Sequence, residues 1–332
     1  MKRVAIAGAT GAVGTEMLKT LEKRNFPVSS LKLLASERSV GRKLVFKGKE
    51  IAVELLRPEA FDDVDIVLSS TSGTLSKQFS PAAVERGAVV VDNTSAFRMD
   101  SKVPLVVPEV NPEDIKWHNG IIANPNCSTI IANVPLFPIY KKFGLKRFVS
   151  CTYQAVSGAG AWGIEELREQ TKAYLAGEPI VKNKFPHQIA FNVFSHNSAI
   201  GPDGFNEEEA KMIRETRKIF HDDSITISAT CVRVPVFRAH TEALHCELGT
   251  KATPDEIREV LSTAPGVKII DDVPNNHFPM PIESTEEYEV RVGRIREDYL
   301  FPNGIAMLIS GDQLLKGAAL NAVQIAELLL NL

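Results

Sequence analysis

The spacing of hydrophobic positions changes along this chain, and the change divides it in two. Residues 3–8, RVAIAG, form a short β-rich run that breaks at Gly8, and over 12–24 the apolar Val13, Met17, Leu18 and Leu21 recur at helical spacing. That is a strand, a turn and a helix. A second apolar run, LKLLA at 31–35, ends in polar SERS. VDIVLSS at 64–70 and GAVVVDN at 87–93 are continuous apolar runs of the kind buried on both faces of a sheet, and 75–86 between them reads as a helix. Strands alternating with helices across short turns predict a mostly parallel, doubly wound sheet over about the first 125 residues.

Beyond residue 127 the polar and apolar positions mix. RFVSCTYQAVSGAG at 147–160, ITISATCVRVPVF at 225–237 and HTEALHCELG at 240–249 read as longer strands, suited to an antiparallel sheet with one covered face. Polar helices are predicted near 162–175, 206–220 and 254–263, the last opened by Thr253 as cap and Pro254 as first helical residue. The closing LKGAALNAVQIAELLLNL is helical, apolar on one face, and expected to return to the first domain. The predicted class is α/β. A Rossmann-type, mostly parallel sheet spans 1–126 with 316–332, and 127–315 forms a second, α+β domain on a mixed or antiparallel sheet.

A length of 332 residues with 44% hydrophobic content is ample for two buried cores. The net charge of -3, with both signs mixed along the chain, offers no basic stripe for nucleic acid, so a small-molecule partner is expected. MKRVAIAGATG runs straight into a strand, and no apolar stretch approaches about 18 residues, so neither a signal peptide nor a membrane span is predicted and the cytoplasm is the expected location. The cysteines at 127, 151, 231 and 246 form no C-x-x-C pair, which predicts thiols rather than a disulfide framework or a metal site.

Candidate chemistry begins at the first turn. Gly8-Ala9-Thr10-Gly11-Ala12-Val13-Gly14 lies between a strand and an amphipathic helix, where glycines permit a tight turn and the helix N-terminus can hold a pyrophosphate. Its G-x-x-G-x-x-G spacing departs from the commoner G-x-G-x-x-G, and its position in a strand-turn-helix unit is what points to a dinucleotide. At the end of the second strand stand Ser36-Glu37-Arg38-Ser39. Two hydroxyls and a guanidinium suit the 2′-phosphate of NADP, whereas Glu37 alone would suit the ribose of NAD. Thr71, Ser72 and Gly73 follow a buried strand at the sheet edge where cofactor contacts collect.

Cys127, in NPNCST, follows a short apolar strand and a Pro-containing turn and directly precedes a predicted helix. Helix N-terminal N–H groups favour a thiolate there. Cys151, Cys231 and Cys246 each sit inside a β-rich run and read as inert buried thiols.

GATGAVG at 8–14, SSTSG at 69–73, DNTSAFR at 92–98, VPEVN at 107–111, NPNCST at 124–129, QAVSGAG at 154–160 and RVPVFRAH at 233–240 occur in one order, and together with the closing LISGDQLLKGAALNAVQIAE the chain resembles the aspartate-β-semialdehyde dehydrogenases over nearly its full length. That resemblance implies Cys127 as nucleophile, His240 as general acid/base and Gln154 as the group orienting the acyl intermediate. It implies that Arg233 pairs with the substrate's α-carboxylate, that Glu208 takes its amine, and that Lys211, Arg98 and Asn126 surround phosphate. It also carries Ser157, Gly158 and Asn321 to the NADP site. Without the family, the EEAK of Glu208 and Lys211 reads as an exposed helix face. The implied reaction is the reversible, NADPH-dependent conversion of β-aspartyl phosphate to aspartate semialdehyde and phosphate through a Cys127 thioester, on the route to lysine, methionine and threonine. Relatives of this kind form dimers or tetramers, so a homodimer or homotetramer is expected. The alternative kept open is an N-acetyl-γ-glutamyl-phosphate reductase, which shares the plan but takes an acylated amine. More distant alternatives are a Cys127–His240 hydrolase and a nucleotide-sensing scaffold.

Overall fold

The computed structural model describes residues 1–332. Its contacts group into two compact units, Met1–Asn126 with Ala318–Leu332, and Cys127–Gly317.

The first unit opens with β1 (Lys2–Ala7), α1 (Ala12–Lys23) and β2 (Val28–Ala35). A hairpin that the hydrophobic pattern did not announce, β3 (Lys43–Phe46) and β4 (Lys49–Leu55), follows. Then come β5 (Ile66–Ser69), α2 (Gly73–Glu85), β6 (Val89–Asp92) and β7 (Ile121–Ala123). The sheet order is β3-β4-β2-β1-β5-β6-β7, parallel except for the β3–β4 pair. Alternate strand residues enter two different cores. Val4, Ile6, Leu33, Leu68 and Val91 join Met17 and Leu21 of α1 on one face, and Ala5, Ala7, Leu34, Val67 and Val90 join Ala83 of α2 on the other. That two-faced burial is why these strands read as unbroken apolar runs.

The second unit contains α3 (Cys127–Phe143), β8 (Leu145–Gln154), α4 (Ala161–Ala176), β9 (Phe194–Ser195), α5 (Glu207–Phe220), β10 (Thr226–Arg233) and β11 (His240–Leu248). It continues through α6 (Pro254–Ser262), β12 (Val267–Ile269), α7 (Pro281–Ser284), β13 (Val290–Glu297) and β14 (Gly304–Gly311). Thr253 caps α6 in a reciprocal capping box with Glu256, and Pro254 is its first residue. The sheet order is β12-β13-β14-β11-β8-β10-β9. It is mixed rather than antiparallel throughout, because β8 and β10 run parallel across a long connection that carries α4 and α5. Burial alternates along β10, so one face is covered and the other is open.

Finally α8 (Leu320–Leu328) re-enters the first unit, where Ala319, Ala322, Val323, Ile325, Ala326 and Leu329 complete the core against α1. It is buried on nearly every side rather than on one apolar face.

Candidate active site

In the first unit the glycine loop is shaped by what its glycines lack. Gly8 has φ +84, and a Cβ there would come within 2.3 Å of the Ser70 carbonyl oxygen. A Cβ on Gly14 would meet the Gly8 carbonyl oxygen at 2.2 Å. The backbone thus folds back upon itself between β1 and α1. Gly11 is the N-cap of α1 and supplies no side-chain cap, which leaves first-turn N–H groups for an anion. Ala12 and Val13 form that first turn. Thr10 Oγ1 lies 3.4 Å from Ser39 Oγ, so the turn after β2 sits beside the glycine loop, with Ser36 and Arg38 exposed on it. These groups fit a dinucleotide phosphate. Ser72 caps α2 by accepting from the Leu75 N–H at 3.3 Å, with Thr71 before it and Gly73 opening the helix. Asn321 is buried, its amide donating to the Val106 carbonyl at 3.0 Å and to Asn124 Oδ1 at 2.6 Å. Arg98 is buried too, donating from Nε to the Asn124 carbonyl and from a terminal nitrogen to the Asn93 carbonyl, both at 3.0 Å. Asn126, also buried, ends this unit's first segment.

The second unit holds the thiol. Cys127 is the first residue of α3, and its Sγ lies 3.6 Å from His240 Nε2. His240 is fully buried, and its Nδ1 accepts the Ala155 N–H at 3.1 Å. A neutral ring that accepts at Nδ1 carries its proton on Nε2, facing the sulfur. Burial, with Arg233 nearby, lowers the His240 pKa to about 3, so this neutral form prevails at ordinary pH. The residue before His240 is constrained as well. Ala239 has φ +70, a left-handed backbone unusual for alanine, and its N–H is held at 2.8 Å by Gln313 Oε1. Gln154 is buried at the end of β8, its amide nitrogen 3.0 Å from Ser128 Oγ and 3.2 Å from Thr152 Oγ1.

Around this pair stand the remaining polar residues of the unit. Arg233, at the end of β10, is buried and donates to the Ala155 carbonyl at 2.7 Å. A Cβ on Gly158 would sit 3.1 Å from an Arg233 terminal nitrogen and 3.3 Å from His240 Cε1, so Gly158 borders both side chains. Ser157 is buried, with its hydroxyl bonded to Gln313. Glu208 is buried, not on an exposed face, and pairs with Lys211 at 3.3 Å. His196, which no sequence motif indicated, contacts Arg233 at 2.7 Å. Ser128 and Gln313 lie within motifs that carry the resemblance, but neither was given a role, because their partners lie far away in sequence. Cys246 is buried and pushed up to about 12, Cys231 is pushed higher still, and neither is placed to react, whereas Cys151 is half-buried rather than buried as its β-rich run suggests. A cavity of about 520 Å³ along α4, lined by Trp162, Glu166, Lys172 and Val181, contains none of these residues and plays no part in the chemistry below.

Comparison with known proteins shows the family. Residues 3–118 match the profile for the semialdehyde dehydrogenase NAD binding domain, and 136–316 match that for the semialdehyde dehydrogenase dimerisation domain. The chain is 56% identical to the aspartate-semialdehyde dehydrogenase of Aquifex aeolicus over 98% of its length and 97% of that protein. It is 51% identical to the Synechocystis enzyme, with the same coverages. The crystal structure of Vibrio cholerae aspartate semialdehyde dehydrogenase II complexed with ASA superposes with a TM-score of 0.97 at 46% identity, over 100% of this chain and 98% of that one. The Candida albicans enzyme with NADP gives 0.77 at 26% identity, over 99% and 98%.

Proposed function

Because the chain belongs to the aspartate-semialdehyde dehydrogenase family and so is a phosphorylating aldehyde dehydrogenase, we propose that Cys127 carries its acyl group and that NADP is its hydride carrier. The single observation that carries the assignment of the nucleophile is the Cys127 Sγ–His240 Nε2 contact of 3.6 Å at the start of a helix. For the cofactor, support comes from the bare glycine loop, from the Ser36, Arg38 and Ser39 turn that suits a 2′-phosphate, and from the NADP in the Candida albicans structure.

The Cys127 thiolate adds to the aldehyde carbon, and the carbonyl electron pair moves onto oxygen. His240 Nε2–H meets that oxyanion, a donor role that its bond from Ala155 imposes and that narrows the acid/base part expected of it. When bound, NADP supplies the hydride chemistry that interconverts this adduct and the thioester. Phosphate oxygen then attacks the thioester carbon, the carbon–sulfur bond breaks, and Cys127 leaves as thiolate. A sulfur nucleophile suits both halves, since it attacks readily and departs readily. Gln154 positions the acyl group, Arg233 takes the α-carboxylate, Glu208 the amine, and Lys211, Arg98 and Asn126 bind phosphate. The acylated-amine reading is not favoured, given relatives of 56% and 51% identity that bear the aspartate-semialdehyde name. A homodimer formed through the second unit is supported by the dimerisation-domain match, and a cytoplasmic setting by four free cysteines.

Absorbance at 340 nm with aspartate semialdehyde, phosphate and NADP tests the whole reading. Wild type should reduce NADP only with phosphate present and should ignore N-acetylglutamate semialdehyde. Cys127→Ala should lose about 10⁴-fold or more in kcat while still binding NADP. Turnover retained in that variant removes Cys127 from the mechanism.

A further inference from the structure

Arg233 is gripped by four groups, one of them Asn197 Oδ1, which accepts at 3.4 Å from the same nitrogen that faces His196. One terminal nitrogen donates to the Ala155 carbonyl at 2.7 Å, the other faces His196 Nε2 at 2.7 Å, and the guanidinium carbon lies 5.8 Å from the centre of the Phe185 ring. His196 reaches this point through the backbone. Strand β9 pairs antiparallel with β10, Phe194 opposite Arg233 and Ser195 opposite Val232, and the His196 N–H donates to the Cys231 carbonyl at 2.8 Å. A guanidinium only donates, so Nε2 must offer its lone pair and the ring proton must sit on Nδ1. Ser198 Oγ, 3.0 Å from Nδ1, is there to accept it, and this contact and the 2.7 Å one to Arg233 are both shorter than the 3.3 Å approach of the Ser198 N–H to the same Nδ1. The same hydroxyl accepts the Glu208 N–H at 3.3 Å. A chain of bonds therefore runs from the start of α5 through Ser198 and His196 to the guanidinium, whose buried Nε has no partner.

We propose that His196 is a positioning residue for substrate recognition, its neutral imidazole fixing the rotation of the Arg233 guanidinium so that the donors left over are held in place for the substrate's α-carboxylate. This rests on the reading of Arg233 as the carboxylate's partner. Protonation of His196 would set an N–H against another N–H and a cation against a cation. Burial first, and then Arg233 and Lys211 against an opposing pull from Glu208, lower its pKa to about 4, so the accepting form is the one present near neutrality.

Steady-state kinetics of the full-length enzyme tests the role. His196→Leu should raise the KM for aspartate semialdehyde about tenfold or more, keep kcat within about threefold, and leave the KM values for NADP and phosphate unmoved. His196→Gln, whose Oε1 can take the place of Nε2 as acceptor, should stay within about threefold of wild type throughout. His196→Asn is too short to reach the guanidinium and should match the leucine variant, standing in for it if that protein does not fold. The proposal is overturned by an unchanged aldehyde KM in both non-reaching variants, by an equal rise in the glutamine variant, or by a rise shared among all three substrates. Arg233→Leu, measured alongside, separates two failures. If it too leaves the aldehyde KM unchanged, the carboxylate reading itself falls; if it raises that KM while His196→Leu does not, only the role of His196 falls.

Discussion

The dinucleotide loop and the thiol pocket are built by opposite means. Between β1 and α1 the decisive property is absence, since Gly8 and Gly14 leave room for backbone to pass within contact of backbone. Around Cys127 the decisive property is presence. Buried polar side chains are fixed by other polar groups, Gln154 by Ser128 and Thr152, Arg233 by the Ala155 carbonyl and His196, and His240 by the Ala155 N–H. At Gly8 and Gly14 the loop therefore has no room for a Cβ, whereas the pocket depends on polar partners being present.

The sharpest way to break that contrast is to add volume to the loop. Gly14→Val places a Cβ 2.2 Å from the Gly8 carbonyl oxygen and 2.9 Å from Ala9 Cα, both backbone atoms with little freedom to retreat. It should cost about 3 kcal/mol or more in urea unfolding and abolish NADP binding in a titration, while Cys127 stays reactive to thiol reagents. Wild-type binding by that variant would show that the loop's shape is not set by its glycines.

A smaller effect probes the pocket through pH. The His240 pKa of about 3 in the folded protein lies below the ordinary 6.5, so the unfolded chain takes up the proton first. Stability fully present above pH 6.5 is then lost as pH falls toward 3, and between pH 6.5 and about 4.5 this one group accounts for about 2 kcal/mol. Wild type should lose about that much more than His240→Gln over the interval. Glu242, which burial pushes up, runs in the opposite direction but is common to both proteins. Equal losses in the two would mean that burial of the imidazole is not what costs stability in acid.

The mildest test separates aim from chemistry. Ala239 at φ +70 occupies backbone that glycine adopts freely. Ala239→Gly should raise the unfolding free energy by no more than about 1 kcal/mol, seen as a higher thermal midpoint, and lower kcat severalfold as His240 loses its fixed approach. An unchanged kcat would assign the aim of the ring to β11 and Ala155 alone.

What could be read from sequence follows the same division. The glycine loop, α1, β5 and β6 were legible because their signals are local and periodic. The β3–β4 hairpin was missed although its Lys47-Gly48 turn, with φ +49 and +74, is the kind of two-residue connection that twisted strands favour. Cys127 was legible from its place directly before a helix, but Arg233 and His240 were legible only as family motifs, for nothing local says that a sulfur and an imidazole 113 residues apart will meet. Glu208 reads as solvated within a run of three glutamates, yet it is buried beside Ser198. His196 carries no periodic signature at all, and its meaning arises from a strand pairing with residues 37 positions away.

The return of residues 318–332 to the first unit bears on the order in which a nascent chain can finish folding. The core around α1 needs Ala322, Val323 and Ile325, so a ribosome that has released Asn126 must still make roughly 190 residues before the earlier half can close. At about 5–20 residues per second that is a wait on the order of 10 to 40 s. The later half, contiguous from Cys127 to Gly317, is under no such delay, so the unit synthesised first is the one completed last.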